Sequence, residues 1–470
     1  MNKEDICFLP AYEMREKILS QELTSLEITE TIIERIEKIN PIINAYCTPT
    51  FDLAREMAKE ADDAAKKGVG KSVNGIPTSI KDLAMIKGIR TTFGSKIYEN
   101  FIPDVDSVCV SRLKDAGCVI LGKTNTPEFG YKGATDNLVF GQTKNPWNLT
   151  KTCGGSSGGA GAAVASGISP LAQGSDGGGS IRIPACLNGV YGIKPSFGRV
   201  PIYPSEYIFA HTLSVAGPIA RCVKDAALML DVMKGPFEGY RYSLPADNIS
   251  YFEKIEDKSS KLKIAYSLDM GYAKVIDSGV EQSVLDSIQK FQEFGWKPES
   301  VKMKVRKPEL PFYTIWTSEV GYSLKPKLKE WRERLDPDLL KMVEGGLNYD
   351  GLSIIRAMEA RKRVYESFYK IFKDYDILIT PTTAVPAFDL GMSFPTMINN
   401  TKVSPTAWQA FTFPINLTGH PAASIPCGWS KEGLPLGMQI IGPLFNDLRV
   451  LQVSKAFEEV APWQDKKPDF

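Results

Sequence analysis

The chain has 470 residues, 43% hydrophobic and 24% charged, the balance of an ordinary soluble globular protein. Its formal net charge of +1 lacks the basic surplus of a nucleic-acid binder. No uninterrupted apolar run reaches the roughly 18 residues of a membrane span, and acidic Glu4 and Asp5 argue against a signal peptide.

The eight cysteines are scattered, with no C-x-x-C pair. They read as reduced, mostly buried small hydrophobes in a chain long enough to need no disulfide or metal staple, and a cytoplasmic location is expected. Only two histidines occur, His211 and His420. That leaves little room for a His-rich metal site or a Ser-His-Asp triad.

In chain order, Thr24 with Glu27 forms a capping-box pattern, and Ile28, Ile32, Ile36 and Ile39 then recur at helical spacing. This predicts a helix that Asn40-Pro41 ends. A second helix is expected over 52–67, stopped by Gly68 and Gly70. A short strand over 75–80 leads into Lys81-Asp82. A helix over 108–116 and a strand over 118–122 follow. The glycine- and serine-rich turn 153–159 opens a small-residue helix near 160–166, succeeded by a strand at 171–175. Residues 236–262 read as polar and irregular. Beyond them come a strand at 263–266 and a helix over 280–294. Residues 308–349 are charged, rich in Trp and Tyr and helical in places. A long helix, strands at 376–380 and 436–441, and a helix over 447–460 complete the chain. The alternation argues for an α/β fold. Without repeats or a clear linker, residues 1–470 read as one domain: an N-terminal helical wrap (1–70), a core carrying the chemistry (71–235), a variable, substrate-shaping part (236–400) and a return to the core sheet (401–470).

Two glycine-flanked serine clusters stand out, at 154–159 and 174–184. Glycine allows close backbone approach and suits loops whose N–H groups hold an anion. The run Asp176-Gly-Gly-Gly-Ser180 after a strand could aim several N–H groups at one point, as an oxyanion hole requires. The ordinary reading of such a run is a flexible turn. A phosphate loop lacks its Gly-Lys-Ser/Thr ending and its G-x-G-x-x-G spacing here. The G-x-S-x-G elbow fails at Ser180, because Arg182 stands two positions on.

The block from Gly154 to Ala185 resembles the signature of the amidase signature family of serine hydrolases and fits it without a gap. Gly75-Ile-Pro77 with Lys81-Asp82, Gly122-Lys-Thr-Asn125 with Pro127-Glu128, Gly141 with Asn145-Pro-Trp147, Gly217-Pro218, and Gly437-Met-Gln-Ile-Ile-Gly-Pro443 extend the resemblance. It is weakest from about 240 to 400. The resemblance implies a mixed, mostly parallel central sheet covered by helices on both faces, with no metal or organic cofactor. It implies Ser180 as nucleophile, Ser156 as a bridging serine after a cis peptide bond, and Lys81 as base. The backbone N–H groups of Gly177, Gly178, Gly179 and Ser180 are the implied oxyanion hole. Ser157, Asp176 and Arg182 are implied supports, with an Asp176–Arg182 pair. Gly130 and Thr135 divide between pocket and scaffold. Trp316 and Trp408 are candidates for the pocket, against the commoner place of an aromatic in the core. His211, His420, Cys153 and Cys186 read as packing residues.

The implied chemistry is physically coherent. A serine hydroxyl needs a neighbour to take its proton, and a lysine takes it only when burial has made it neutral. The run through Tyr191-Gly-Ile-Lys-Pro-Ser-Phe-Gly-Arg199 is similar to stand-alone bacterial amidases, including aryl acylamidases and enzymes like 6-aminohexanoate-cyclic-dimer hydrolase. That implies an uncharged or apolar small-molecule amide, with no nucleic acid or membrane partner; monomer and homodimer both stay open. Gly177 departs from the threonine or isoleucine often found there. The alternative within the family is the glutaminase subunit of the tRNA-dependent amidotransferase, whose charged grip on glutamine has no evident counterpart here. A catalytically silent binding protein would have lost Lys81, Ser156 or Ser180, and all three are present.

Overall fold

The computed structural model describes residues 1–204, 212–257 and 261–470. His211 lies outside them. Two N-terminal helices, α1 (Lys3–Phe8) and α2 (Ala11–Leu19), precede α3 (Ser25–Ile43) and α4 (Phe51–Lys66). The Glu27 N–H donates to Thr24 Oγ1 at 3.0 Å, so the expected cap starts α3. Its Ile28, Ile32, Ile36, Ile39 and Ile43 stripe is buried. The helix runs through Pro41, where a stop was expected. In the last turn the missing N–H costs a single backbone bond, and the helix ends instead at Asn44, which turns left-handed at φ 55°.

An eleven-stranded sheet forms the centre. In chain order its strands are β1 (Tyr46–Pro49), β2 (Pro77–Lys81), β3 (Val119–Thr124), β4 (Leu171–Asp176), β5 (Tyr191–Lys194), β6 (Val215–Ala220), β7 (Ile264–Tyr266), β8 (Glu299–Ser300), β9 (Ile377–Pro381), β10 (Ala422–Trp429) and β11 (Pro435–Ile441). Their spatial order is β1-β3-β2-β4-β6-β5-β10-β11-β9-β7-β8. The sheet is mixed, as expected, but it is not mostly parallel. β2 runs parallel to β3 and β4, and β7 runs parallel to β8 and β9. Every other neighbouring pair is antiparallel. The difference comes from β5, β6 and β10, which sequence patterning does not reveal. β5 and β6 are fully buried, β10 is buried over its first five residues, none carries polar alternation, and they reverse direction in the middle of the sheet.

Alternating side chains on one strand enter different cores. On β3, Val119 and Leu121 pack with the N-terminal helices while Ile120 joins the cluster of α8 (Val223–Met233). On β9, Ile377 and Ile379 point to that same cluster. Leu378 instead belongs to the cluster that includes Trp316 and Phe368. Helices therefore cover both faces. No helix among the described residues is long and apolar enough to cross a membrane.

The close approach that matters most for the site is made by α6 (Gly158–Ala165), which begins just after Ser156 and Ser157. A β-carbon at Gly159 would lie 2.4 Å from the Asn125 nitrogen and 2.6 Å from the Ala45 oxygen, both backbone atoms. Gly159→Ala should therefore destabilise the protein by about 1–3 kcal/mol, read as a lower urea midpoint at unchanged slope.

Candidate active site

Two adjacent parallel strands bring the chemistry together. Ile80 on β2 is in register with Gln173 on β4, so Lys81 and Ser175 leave the sheet side by side at its carboxyl edge. The chain then turns through Gly177–Gly179 to Ser180 before α7 (Arg182–Asn188). Ser156 arrives on the turn before α6, through a cis peptide bond from Gly155, as the resemblance implied. The Ser157 N–H donates to the Ser180 carbonyl at 3.1 Å, and its hydroxyl donates to the Ser175 carbonyl at 3.2 Å. Both serine loops are thereby fixed to β4.

Lys81 Nζ donates to Ser156 Oγ at 2.8 Å and to Ser175 Oγ at 3.1 Å. The lysine side chain is fully buried, and no carboxylate among the described residues lies at contact distance from it. Burial brings its pKa down to about 7, against the opposing pull of Asp176. Ser180 is 9% exposed, and its hydroxyl makes no hydrogen bond among the described residues. Ser156 and Ser180 both line one cavity, and Ser180 also borders a second, slightly smaller one.

The loop around Ser180 is organised by Asp176. Burial raises the Asp176 carboxyl, but Arg182 outweighs that and holds it well below the usual range. Arg182 Nε and Nη2 each reach one Asp176 oxygen at 2.9 Å, a bidentate pair with neither side chain exposed. The remaining guanidinium N–H groups go to Thr412 O, Gln439 Oε1 and Asn416 Oδ1. The other face of Asp176 accepts from backbone: Gly179 N–H at 2.7 Å and Ile181 N–H at 3.1 Å. This corrects the expected oxyanion hole. The Gly179 amide is committed to Asp176, whereas those of Gly177, Gly178 and Ser180 have no partner among the described residues.

The weaker candidates separate. Gly130 and Trp316 line both cavities. Thr135 does not: its hydroxyl donates to Gly154 O at 2.8 Å and accepts from Gly158 N–H at 3.2 Å, bracing the Ser156 loop. Trp408 is 1% exposed and packs edge-on against Phe388, in the core and not in the pocket. Cys153 and Cys186 are buried and unpaired. His420 is buried among aromatic rings, its Nδ1 bonded to Thr418 Oγ1 at 2.8 Å. Burial lowers its pKa to about 3. Sequence reasoning missed Ser175, Gln173, Phe129, Ile202, Ser214 and Phe312 as cavity walls, and Asn416 as a partner of Asp176. Gln173 and Ser175 carried a signal, inside the Gly154–Ala185 block, as did Gln439 inside the quoted 437–443 run.

Residues 27–451 match the amidase family, and that span holds the whole site. The chain belongs to the amidase family. It is 36% identical to an acylamidase of Rhodococcus erythropolis, over all of this chain and 98% of that protein. It is 34% identical to a glutamyl-tRNA(Gln) amidotransferase subunit of Carboxydothermus hydrogenoformans, with 99% of each covered. The fold matches the crystal structure of a bacterial aryl acylamidase with a TM-score of 0.91, at 31% identity and 97% coverage of both chains. This amidase therefore hydrolyses amide bonds in small substrates.

Removing Arg182 would strand a buried carboxylate. Arg182→Met should cost this amidase about 3–5 kcal/mol, measured by chemical denaturation. The double variant with Asp176→Asn should recover part of that loss, because no unpaired charge then remains.

Proposed function

We propose that the amidase works through a Lys81–Ser156–Ser180 proton relay and an acyl-enzyme on Ser180. The observation that carries this reading is a fully buried Lys81 within 2.8 Å of Ser156, beside the unbonded hydroxyl of Ser180. Neutral Lys81 accepts the Ser156 proton as Ser156 takes that of Ser180, and the Ser180 oxygen attacks the amide carbon. The amides of Gly177, Gly178 and Ser180 hold the developing oxyanion. Ser156 returns a proton to the leaving nitrogen, the C–N bond breaks, and the amine departs. Water, activated by the same relay, then attacks the ester and releases the acid. Asp176, Arg182 and Ser157 hold the loops and touch no reacting atom.

The substrate is a neutral amide with an apolar or aromatic group. No charged side chain is among the described residues lining the larger cavity, whose walls include Leu83, Phe129, Ile202, Ala216 and Trp316. In the smaller one Lys132 already pairs with Asp136 and Asp336. The acylamidase relatives support this choice. One chain supplies every group the reaction uses, so a monomer or homodimer acts without a partner of another kind, in the cytoplasm. The amidotransferase relatives favour a second reading, a glutaminase component of such a complex. Glutamine would need a carboxylate and ammonium grip, which none of the described residues lining the larger cavity offers. The purified chain should hydrolyse a neutral anilide and leave glutamine intact; the reverse preference would overturn the substrate assignment.

Lys81→Ala should lower kcat/KM by about 10²–10⁴-fold, the usual worth of a general base. In the unaltered enzyme kcat/KM should fall as pH drops through about 7, because protonation removes the base, and should level off above it. An ascending limb displaced far from neutrality would count against Lys81.

A further inference from the structure

A buried carboxylate joint lies one layer away from the reacting groups. Glu128 is 1% exposed; its Oε1 accepts from Ser95 Oγ at 2.5 Å, and its Oε2 accepts from the Asp336 backbone N–H at 2.7 Å. Asp336 in turn accepts from the Tyr131 hydroxyl at 2.7 Å and from Lys132 Nζ at 3.3 Å. It also caps the helix that follows, receiving the Asp338 N–H at 2.9 Å. Segments 208 positions apart in the chain are thus clasped through one cluster of hydrogen bonds.

The two sides of the joint lead to the site by separate routes. On one side, Gly130 follows Glu128 in the same short turn, and a β-carbon there would lie 3.0 Å from Ser156 Oγ. On the other, Asp336 starts α11 (Pro337–Gly346), which crosses α10 (Glu309–Leu324) so closely that a β-carbon at Gly346 would meet the Thr317 carbonyl at 1.8 Å. α10 carries Phe312 and Trp316 onto the oxyanion loop. A β-carbon at Gly177 would meet the Trp316 ring at 2.6 Å, and one at Gly178 the Phe312 ring at 2.7 Å. Tightly packed elements transmit a displacement and do not absorb it.

We infer that Glu128 and Asp336 are positioning residues that seat the α10–α11 pair over the Ser180 loop and so set where Trp316 meets the substrate. The inference rests on the reading of Ser180 as nucleophile and extends it to how the substrate wall is held. Burial, opposed by the Ser95 and Asp336 N–H bonds and by Lys132 and reinforced by the Asp336 charge, lifts the Glu128 carboxyl to about 7. Glutamine, neutral and still an acceptor for the Asp336 N–H, is therefore its conservative replacement.

The test measures kcat and KM for a small and a bulky anilide in Glu128→Ala, Glu128→Gln, Asp336→Ala and the milder Tyr131→Phe, each alone and with Trp316→Ala. Fluorophosphonate labelling of Ser180, located by mass spectrometry, runs in parallel. Glu128→Ala and Asp336→Ala should raise KM for the bulky anilide about tenfold with kcat within about twofold. Glu128→Gln should restore most of it, and labelling of Ser180 should stay stoichiometric. Should the alanine variants not fold, Tyr131→Phe should raise KM about threefold. In the Trp316→Ala background each KM effect should shrink to near nothing, since the joint acts through that ring. KM effects that persist undiminished without Trp316, kcat falling in step with the labelled fraction, or KM unchanged throughout would overturn the inference. Failure of the unaltered enzyme to label at Ser180 would instead overturn the catalytic reading on which it rests.

Discussion

The site depends on one costly arrangement: a lysine held in a dry place without a carboxylate against it. Water stabilises an ammonium strongly, and removing it drives Lys81 towards its neutral form. Asp176 would undo this if its charge were free, since an anion nearby favours the ammonium. Arg182 stands against that anion, and burial of the lysine outweighs the pull that remains. The arginine fork takes both carboxylate oxygens, and backbone amides take what capacity remains. The ion pair thus has two effects. It shapes the loop that carries the amides of Gly177, Gly178 and Ser180, the donors of the proposed oxyanion hole, and it sets an opposite charge against the Asp176 carboxylate near Lys81.

That arrangement ties function to stability. A lysine whose folded pKa lies below its unfolded value binds fewer protons in the native state between the two. Stability therefore rises with pH from about 7 towards 10.5, and the penalty is present in full below about 7. Lys194 on β5 adds a parallel case: burial first, then Arg182, bring it down to about 7 as well. Two such lysines are a burden that a large sheet buried on both faces can bear, because the penalty is small beside the apolar area that eleven strands and their helices remove from water.

What could be read from the residues follows the sequence distance over which each part is built. That Lys81 would meet Ser156 close to the Ser180 loop was legible because the two serines lie in one uninterrupted run and the lysine in a short strand motif. The long amphipathic helix α3 was legible from its isoleucine spacing, and its end was misread because a proline in a last turn costs little. The strands β5, β6 and β10 were not legible, being wholly or mostly buried and free of alternation, and so the balance of parallel and antiparallel pairing was missed. Gly179 looked like an oxyanion donor for want of any way to know that the Asp176 side chain folds back on it. Trp316 and Trp408 are indistinguishable as letters. One stands over the Ser180 loop and the other in the core, and only the path of α10 decides between them.

The architecture separates the reaction from the choice of substrate. The groups of the proposed relay hang from β2, the loop after β4 and the turn before α6, where backbone contacts at Gly159 and the Ser157–Ser180 bond allow almost no play. The opposite wall comes from α10, in the part of the chain where the resemblance is weakest, and it reaches the core through side-chain contacts and the carboxylate joint. A helix seated in that way can exchange Phe312 or Trp316 for other residues without disturbing the lysine's dry pocket. In the proposed relay the pKa of Lys81 is lowered by burial within the fold and not by the substrate, so the same base would serve whatever amide the wall admits.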